Sequence, residues 1–278
     1  LGPVVDHILT RHAYPDPLAA LLGEMLVLTA MLANVIKYEG VFTLQTKGDG
    51  AVAMMVADVT SGGDLRGYAG FDEDKLAAAL REDEGAGPPG VPELLGTGHF
   101  AFTVDQGPHT ERYQGIVELT GRTLAECLQH YFRQSEQIQA GLIAAADRAN
   151  GAWRAAGVIL QSLPEEAGKK RPPPDEDAWR RAMILQASCT PGELLDSKLP
   201  ANDLLYRLFH EEGVRVFRRR ALKARCRCSR KRLEETLRAM PRERVEELKV
   251  GGKVVVTCEF CNRRYRFDDA ALARIHAP

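Results

Sequence analysis

Four of the six cysteines in this 278-residue chain fall in its last fifth. Cys226 and Cys228 form a CRC, and after 29 intervening residues Cys258 and Cys261 form a CEFC. In extended backbone, residues two apart point to one side, so Cys226 and Cys228 present both sulfurs to a single ion. The CxxC reads as a knuckle turn between the strand-like segments VVVT and YRF. Asn262 stands where such a turn needs a residue tolerant of left-handed backbone. Four thiolates complete the tetrahedral shell of one zinc ion at about 2.3 Å per bond and leave no position open. A closed site of this kind is not a hydrolase centre, because catalytic zinc holds its water in the fourth position. Structural zinc is therefore the default reading. Thiolates are also what oxidants attack, and each of these cysteines has a near neighbour able to trap a sulfenic acid as a disulfide. Oxidation would remove the ligands, and with them the folding free energy that metal supplies to a small domain. On the residues alone, structural zinc and a redox switch both stand.

Nothing else in the chain carries a recognisable reaction. His7, His12, His99, His109, His130, His210 and His276 are scattered, with no Ser/His/Asp or HExxH arrangement, so an enzyme is not expected. The GDG at Gly48 and the SGGD at Ser61 lack the strand, Gly-loop and helix context of a phosphate cradle and read as hairpin turns. Cys127 falls on the apolar side of a helix and Cys189 ends another; both read as buried, inert thiols. Between Val214 and Arg232 there are ten Lys or Arg side chains and no acid, including Arg218, Arg219, Arg220, Arg230, Lys231 and Arg232. Beside a zinc ribbon this suits phosphates, which gives the rival reading: a zinc-ribbon nucleic-acid-binding protein using the basic run around residues 215–232. Aromatic residues for base stacking are sparse there, limited to Phe217, Phe260, Tyr265 and Phe267. The preferred account is that these cations lower the pKa of the thiols and offset the charge of four thiolates. Specific nucleic-acid binding is not expected.

The elements that must position this cluster belong to an ordinary folded protein. Hydrophobic residues make up 45% and charged residues 27%, which excludes collagen-like, disordered and coiled-coil classes for the chain as a whole. With 37 basic and 38 acidic side chains the net charge is −1, so no overall field recruits nucleic acid or a membrane. The opening LGPVVDHILT has neither the basic region nor the apolar run of a signal peptide, and a cytoplasmic protein is expected. Asp16 and Pro17 read as the N-cap and first turn of a helix that is apolar around most of its circumference and so central to its domain. VFTLQTK, AVAMMVADV and RGYAGF, split by Gly/Asp turns, and then HFAFTVDQ and RYQGIVELTG, read as antiparallel strands. Met54 and Met55 would put one side chain on each sheet face. Thr123 and Glu126 form a capping box that starts a helix through Ile138, and GVILQSL is a last strand ending near Leu163. Strands in runs with segregated helices give an α+β fold. Pro164–Asp177, with three consecutive prolines, is a linker. Beyond it come DAWRRAMILQASC, TPGELLDSK with Thr190 capping, and NDLLYRLFHEE, helices with narrow apolar stripes. Three parts are expected: an N-terminal sheet-and-helix core domain over 1–163, a helical linker over 164–225, and a small zinc-binding domain over 226–278.

HAYPDPLAALLGEMLVLTAMLANVIKYEG, RYQGIVEL, SEQI, LPANDLLYRLFHEE and, above all, the CxC followed by CxxC resemble the bacterial heat-shock protein 33 family of redox-regulated holdase chaperones. The resemblance runs from about Val5 to the end. It implies ATP-independent capture of unfolding client proteins under oxidative stress. It implies a reduced form that is monomeric, inactive and holds one zinc ion on Cys226, Cys228, Cys258 and Cys261. Oxidation would then pair Cys226 with Cys228 and Cys258 with Cys261, release the zinc, unfold the zinc domain and linker, and give an active homodimer.

Overall fold

A computed structural model describes residues 1–82, 88–107, 110–134, 139–162 and 176–276. The chain divides into two compact units, Leu1–Ala224 and Arg225–Pro278.

In the first unit, α1 (Gly2–Leu9) precedes the long α2 (Asp16–Val35). The cap of α2 lies one residue earlier than the sequence suggests. Pro15 holds the extended cap position, and Asp16 becomes the first helical residue, where a carboxylate suits the positive end of the helix dipole. Five antiparallel strands follow: β1 (Val41–Gly48), β2 (Val52–Thr60) and β3 (Asp64–Phe71), then, after α3 (Glu73–Glu82) and α4 (Val91–Leu95), β4 (Gly98–Asp105) and β5 (Tyr113–Glu118). With the two-residue β8 (Lys223–Ala224), which runs parallel to β3, they form one sheet in the order β5-β4-β1-β2-β3-β8. Alternation fixes which side chains enter the core. Phe42, Leu44 and Thr46 of β1 point in; Met55 is fully buried, while its neighbour Met54, on the other face, is only partly covered. The outward-facing Asp58 of β2 is nonetheless buried, because Arg66, opposite it on β3, closes on both carboxylate oxygens at 2.8–3.1 Å.

α5 (Leu124–Gln134) leads into a two-stranded sheet, β6 (Ala140–Ala149) with β7 (Ala152–Gln161), joined by Asn150 and Gly151 at φ 54° and 80°. Both turn residues are left-handed, which is the backbone of the tight hairpin that Asn-Gly favours. Helix α2 lies between the two sheets. Leu22 and Leu26 meet the backbone of β3 at Gly67, while Val27 and Met31 meet β7 at Gly157. A side chain at Gly23 would collide with Ala146 of β6, so the small residue is what lets helix and strand approach. Buried on two sides, α2 has to be apolar all round, although by length and composition alone it would also pass for a membrane span. Half of the expected capping box forms at the start of α5: Thr123 Oγ1 accepts from the Glu126 amide, while the Glu126 carboxylate accepts from the amide of Arg122 instead of that of Thr123.

The proline-rich linker falls outside the described residues up to 175, as do SEQI at 135–138 and residues 83–87 of the acidic stretch that follows α3. α6 (Glu176–Ala187), α7 (Pro191–Leu195), α8 (Ala201–Phe209) and a 3₁₀ turn at His210–Glu212 follow, all within the first unit. They bury little: α8 contributes Leu204 and Leu208, and α7 has no buried residue. Among the described side chains of α6 the buried one is polar. Gln186 donates its amide protons to the carbonyls of Gly141 and Val158, one on each strand of the hairpin, at 3.2 and 3.0 Å.

The second unit contains α9 (Arg230–Ala239), α10 (Arg242–Glu247), a three-stranded sheet of β9 (Lys249–Val250), β10 (Lys253–Thr257) and β11 (Arg264–Phe267), and α11 (Asp269–Ile275). Leu237, Val245, Val254, Tyr265, Phe267, Ala271, Leu272 and Ile275 make its core.

Candidate metal centre

The antiparallel pairing of β10 with β11 leaves Cys258–Arg263 as the turn between them. Two amides, those of Cys261 and Asn262, donate to the carbonyl of Cys258 at 3.3 and 2.8 Å, and the Cys258 amide donates to the Arg263 carbonyl at 3.0 Å. This curl needs one left-handed residue, and Asn262, at φ 55°, takes that position as its sequence place suggests. In the CRC, the Cys228 amide turns toward Cys226 Sγ at 3.5 Å. Ser229 then caps α9, its hydroxyl oxygen accepting from the Arg232 amide at 3.3 Å.

These two turns bring Cys226, Cys228, Cys258 and Cys261 together, with all four sulfurs within 4.8 Å of one another. Cys226 Sγ lies 3.7 Å from Cys258 Sγ, and Cys228 Sγ lies 3.4 Å from Cys261 Sγ. A tetrahedron with arms of about 2.3 Å has edges of about 3.8 Å, so the spacing suits one ion held by four sulfurs. A disulfide requires about 2.05 Å, and all six cysteines are free thiols. Among the described residues no histidine or carboxylate joins the cluster. Cys127 and Cys189 lie apart from it in the first unit. Both are buried, and burial pushes both thiols up, which fits inert packing residues.

The electrostatics differ from the expectation that nearby cations depress the thiol pKa values. Burial pushes Cys258 up, and it pushes Cys261, aided by hydrogen bonds to the other thiols, up to about 12. Cys258 and Cys261, drawn out of water, hold their protons unless a divalent cation takes the protons' place. Three members of the basic run are engaged elsewhere. Arg220 donates to Asn34 and to the Ser61 carbonyl. Arg230 pairs with Glu234 and lies over the Phe267 ring, and Arg232 donates to the Arg227 carbonyl. Arg263, from outside that run, feels the charge of Cys228 and Cys261. Sequence reasoning also missed the Tyr265 hydroxyl, 3.1 Å from Cys228 Sγ. The available signal is the alternation in RYRF, which turns Tyr265 inward together with Phe267.

A family model described as "Hsp33 protein" matches residues 1–268. A 33 kDa chaperonin of Caulobacter vibrioides is 41% identical over 273 residues, which cover 96% of this chain and 88% of that protein. A 33 kDa chaperonin of Ectopseudomonas mendocina is 37% identical over 273 residues, covering 98% and 87%. The solved structure of a 33 kDa chaperonin from Thermotoga maritima, a heat shock protein 33 homologue, shares the fold with a TM-score of 0.80 at 23% identity, covering 99% of this chain and 91% of that one.

Proposed function

The chain belongs to the Hsp33 family, and on that premise we propose that it is a cytoplasmic, redox-regulated, ATP-independent holdase that captures unfolding proteins. The observation that carries this reading is the convergence of Cys226, Cys228, Cys258 and Cys261 from two distant stretches of chain. In the reduced state the four thiolates hold one zinc ion, which supplies cross-linking and folding free energy to the second unit rather than a reaction centre. That unit has eight buried apolar residues, too few to be secure alone. Peroxide oxidises one thiolate of a pair to a sulfenic acid and is itself reduced to water. The neighbouring thiol then displaces the sulfenic oxygen as a second water, and an S–S bond forms. Two such events, Cys226 with Cys228 and Cys258 with Cys261, use up all four ligands. The second unit then unfolds, and α6 to α8, which bury little of their own surface, loosen with it. Apolar side chains such as Leu204, Leu208 and their partners become available to clients, and the active state is a homodimer.

The test combines zinc content, free-thiol count and suppression of client aggregation, before and after peroxide at a mildly unfolding temperature. The expected result is one zinc per reduced chain, zinc release on oxidation, a fall from six titratable thiols to two, and chaperone activity only afterwards. Equal activity in the reduced protein overturns the switch.

A further inference from the structure

We propose that Tyr265 and Arg263 are positioning residues for the oxidation step, a two-link chain of hydrogen bonds that ends on the sulfur of Cys228 and restrains its attack on peroxide. This rests on the redox reading above. Tyr265 is 9% exposed, its ring packed in the core of the second unit and its hydroxyl 3.1 Å from Cys228 Sγ. The Arg263 guanidinium stands beside Tyr265, placed to donate to its oxygen. A guanidinium can only donate, so the Tyr265 oxygen accepts from Arg263 and keeps its own proton to give. A thiolate can only accept. Once Cys228 is ionised the direction is fixed: Arg263 N–H to the Tyr265 oxygen, and Tyr265 O–H to Cys228 Sγ. Hydrogen bonds to an ionised acceptor are among the strong ones, and each further link polarises the next.

Such a bond draws electron density from the sulfur that must attack the O–O bond. In that attack the S–O bond forms and the O–O bond breaks. Sulfur is oxidised to the sulfenic acid, and peroxide, taking up a proton, leaves as water. The Cys226 thiol then closes the S–S bond and expels the sulfenic oxygen as a second water. The hydroxyl of Tyr265 acts on the first step, through the nucleophilicity of Cys228, and has no part in the second. It stands outside the ligand set and tunes a ligand, as outer hydrogen-bond partners of metal-bound groups do.

Tyr265→Phe removes the hydroxyl and keeps the ring in the core. In the reduced, zinc-loaded protein the expected result is that peroxide oxidises Cys228, followed by differential alkylation and mass spectrometry, on the order of threefold to tenfold faster, with Cys258 much less affected. In cobalt-substituted protein the thiolate-to-metal charge-transfer bands should move to lower energy, a signature that loss of packing alone does not produce. Arg263→Met, at an exposed residue, should change the Cys228 rate and the bands in the same direction by less. An unchanged Cys228 rate with unmoved bands in both variants overturns the proposal. So does equal acceleration of all four cysteines, which marks a merely loosened unit. Should Tyr265→Phe not fold, Arg263→Met decides alone. Failure of the redox reading looks different: wild-type cysteines that form no disulfides, whatever the relative alkylation rate of Cys228.

Discussion

The two units keep their folds by different means. In Leu1–Ala224 a helix apolar on every side is enclosed between a six-stranded sheet and a hairpin, and the buried core runs without a break from Val5 to Ala155. In Arg225–Pro278 eight buried apolar residues are supplemented by four thiols drawn to one point. Apolar burial has no chemical off-switch, since nothing short of unfolding exposes Leu22 or Leu26 to a reagent. A thiol cluster does have one, because a two-electron oxidation changes its atoms. The contrast implies that the second unit can be lost while the first persists. The helices α6 to α8, held to the rest of the first unit by a few apolar contacts, Gln186 and a hydrogen bond from Arg154 to the Leu195 carbonyl, are the part whose order either outcome could claim.

The largest expected effect breaks the second unit alone. Cys258→Ser should abolish tight zinc binding and, with it, a contribution on the order of ten kcal/mol to the order of Arg225–Pro278. Metal analysis paired with amide hydrogen exchange checks this. Full, tight zinc occupancy in the variant would remove Cys258 from the ligand set, and loss of protection in the central sheet would mean that the units are not separable. The complementary break lies at Asp58, whose removal leaves the Arg66 guanidinium without its bidentate partner in a mostly enclosed position. Asp58→Ala should cost the first unit about 3 kcal/mol in urea titrations, with zinc content unchanged.

What could be read from the sequence follows the same division. The knuckles were legible because spacing itself encodes them: CRC and CEFC fix which sulfurs can meet, and Asn262 marks the turn. Strands β1 to β5 were legible from their alternation. The hairpin of β6 and β7 was seen only in its second half, because AGLIAAADRA is rich in alanine and carries no strand-like period. The Asn150-Gly151 pair was the signal that should have placed it. α1, α3 and α4 are short, and their sequences, opening with proline or acids, resemble loops. Tyr265 was legible only as an inward-facing ring of the ribbon, and Gln186 was not legible at all. A tyrosine in a strand and a glutamine in a helix acquire their roles from atoms that only the folded chain brings near, Cys228 Sγ in one case and two hairpin carbonyls in the other.

Gln186 makes the comparison sharper at the junction. Its amide donates to Gly141 and Val158 from a site that is 1% exposed, so Gln186→Leu keeps the volume but withdraws two donors from buried carbonyls. The expected cost is about 2 kcal/mol, appearing as lower exchange protection of α6 in the reduced protein with the sheet unaffected. If the holdase reading holds, the variant should also reach the active state at milder oxidation, because part of the undocking is already done. An α6 that exchanges as slowly as in the wild type would mean that its docking depends on other contacts.

The smallest effect is a pH dependence confined to the first unit. Glu24 of α2 accepts the Ala125 amide at 2.9 Å at the start of α5, and burial raises its pKa from 4.5 to about 7, against the opposing pull of that hydrogen bond. A carboxyl whose folded pKa lies above its unfolded one binds more protons when folded. Stability should therefore be highest below about pH 4.5 as far as this group is concerned, and fall as pH rises through 7. Glu126 adds to the shift by repulsion, whereas the helix start it faces favours the charged form. Glu24→Gln keeps an oxygen for the Ala125 amide but cannot ionise. It should flatten the stability profile between pH 5 and 8 and be more stable than wild type at pH 8 by about 1 kcal/mol, a value set low because part of the carboxyl still reaches solvent. Thermal unfolding of the first unit across that range gives the readout. A variant with the wild-type slope would place the responsible proton elsewhere, and a variant less stable at pH 8 would mean that the charged carboxylate at the head of α5 is worth more than its burial costs.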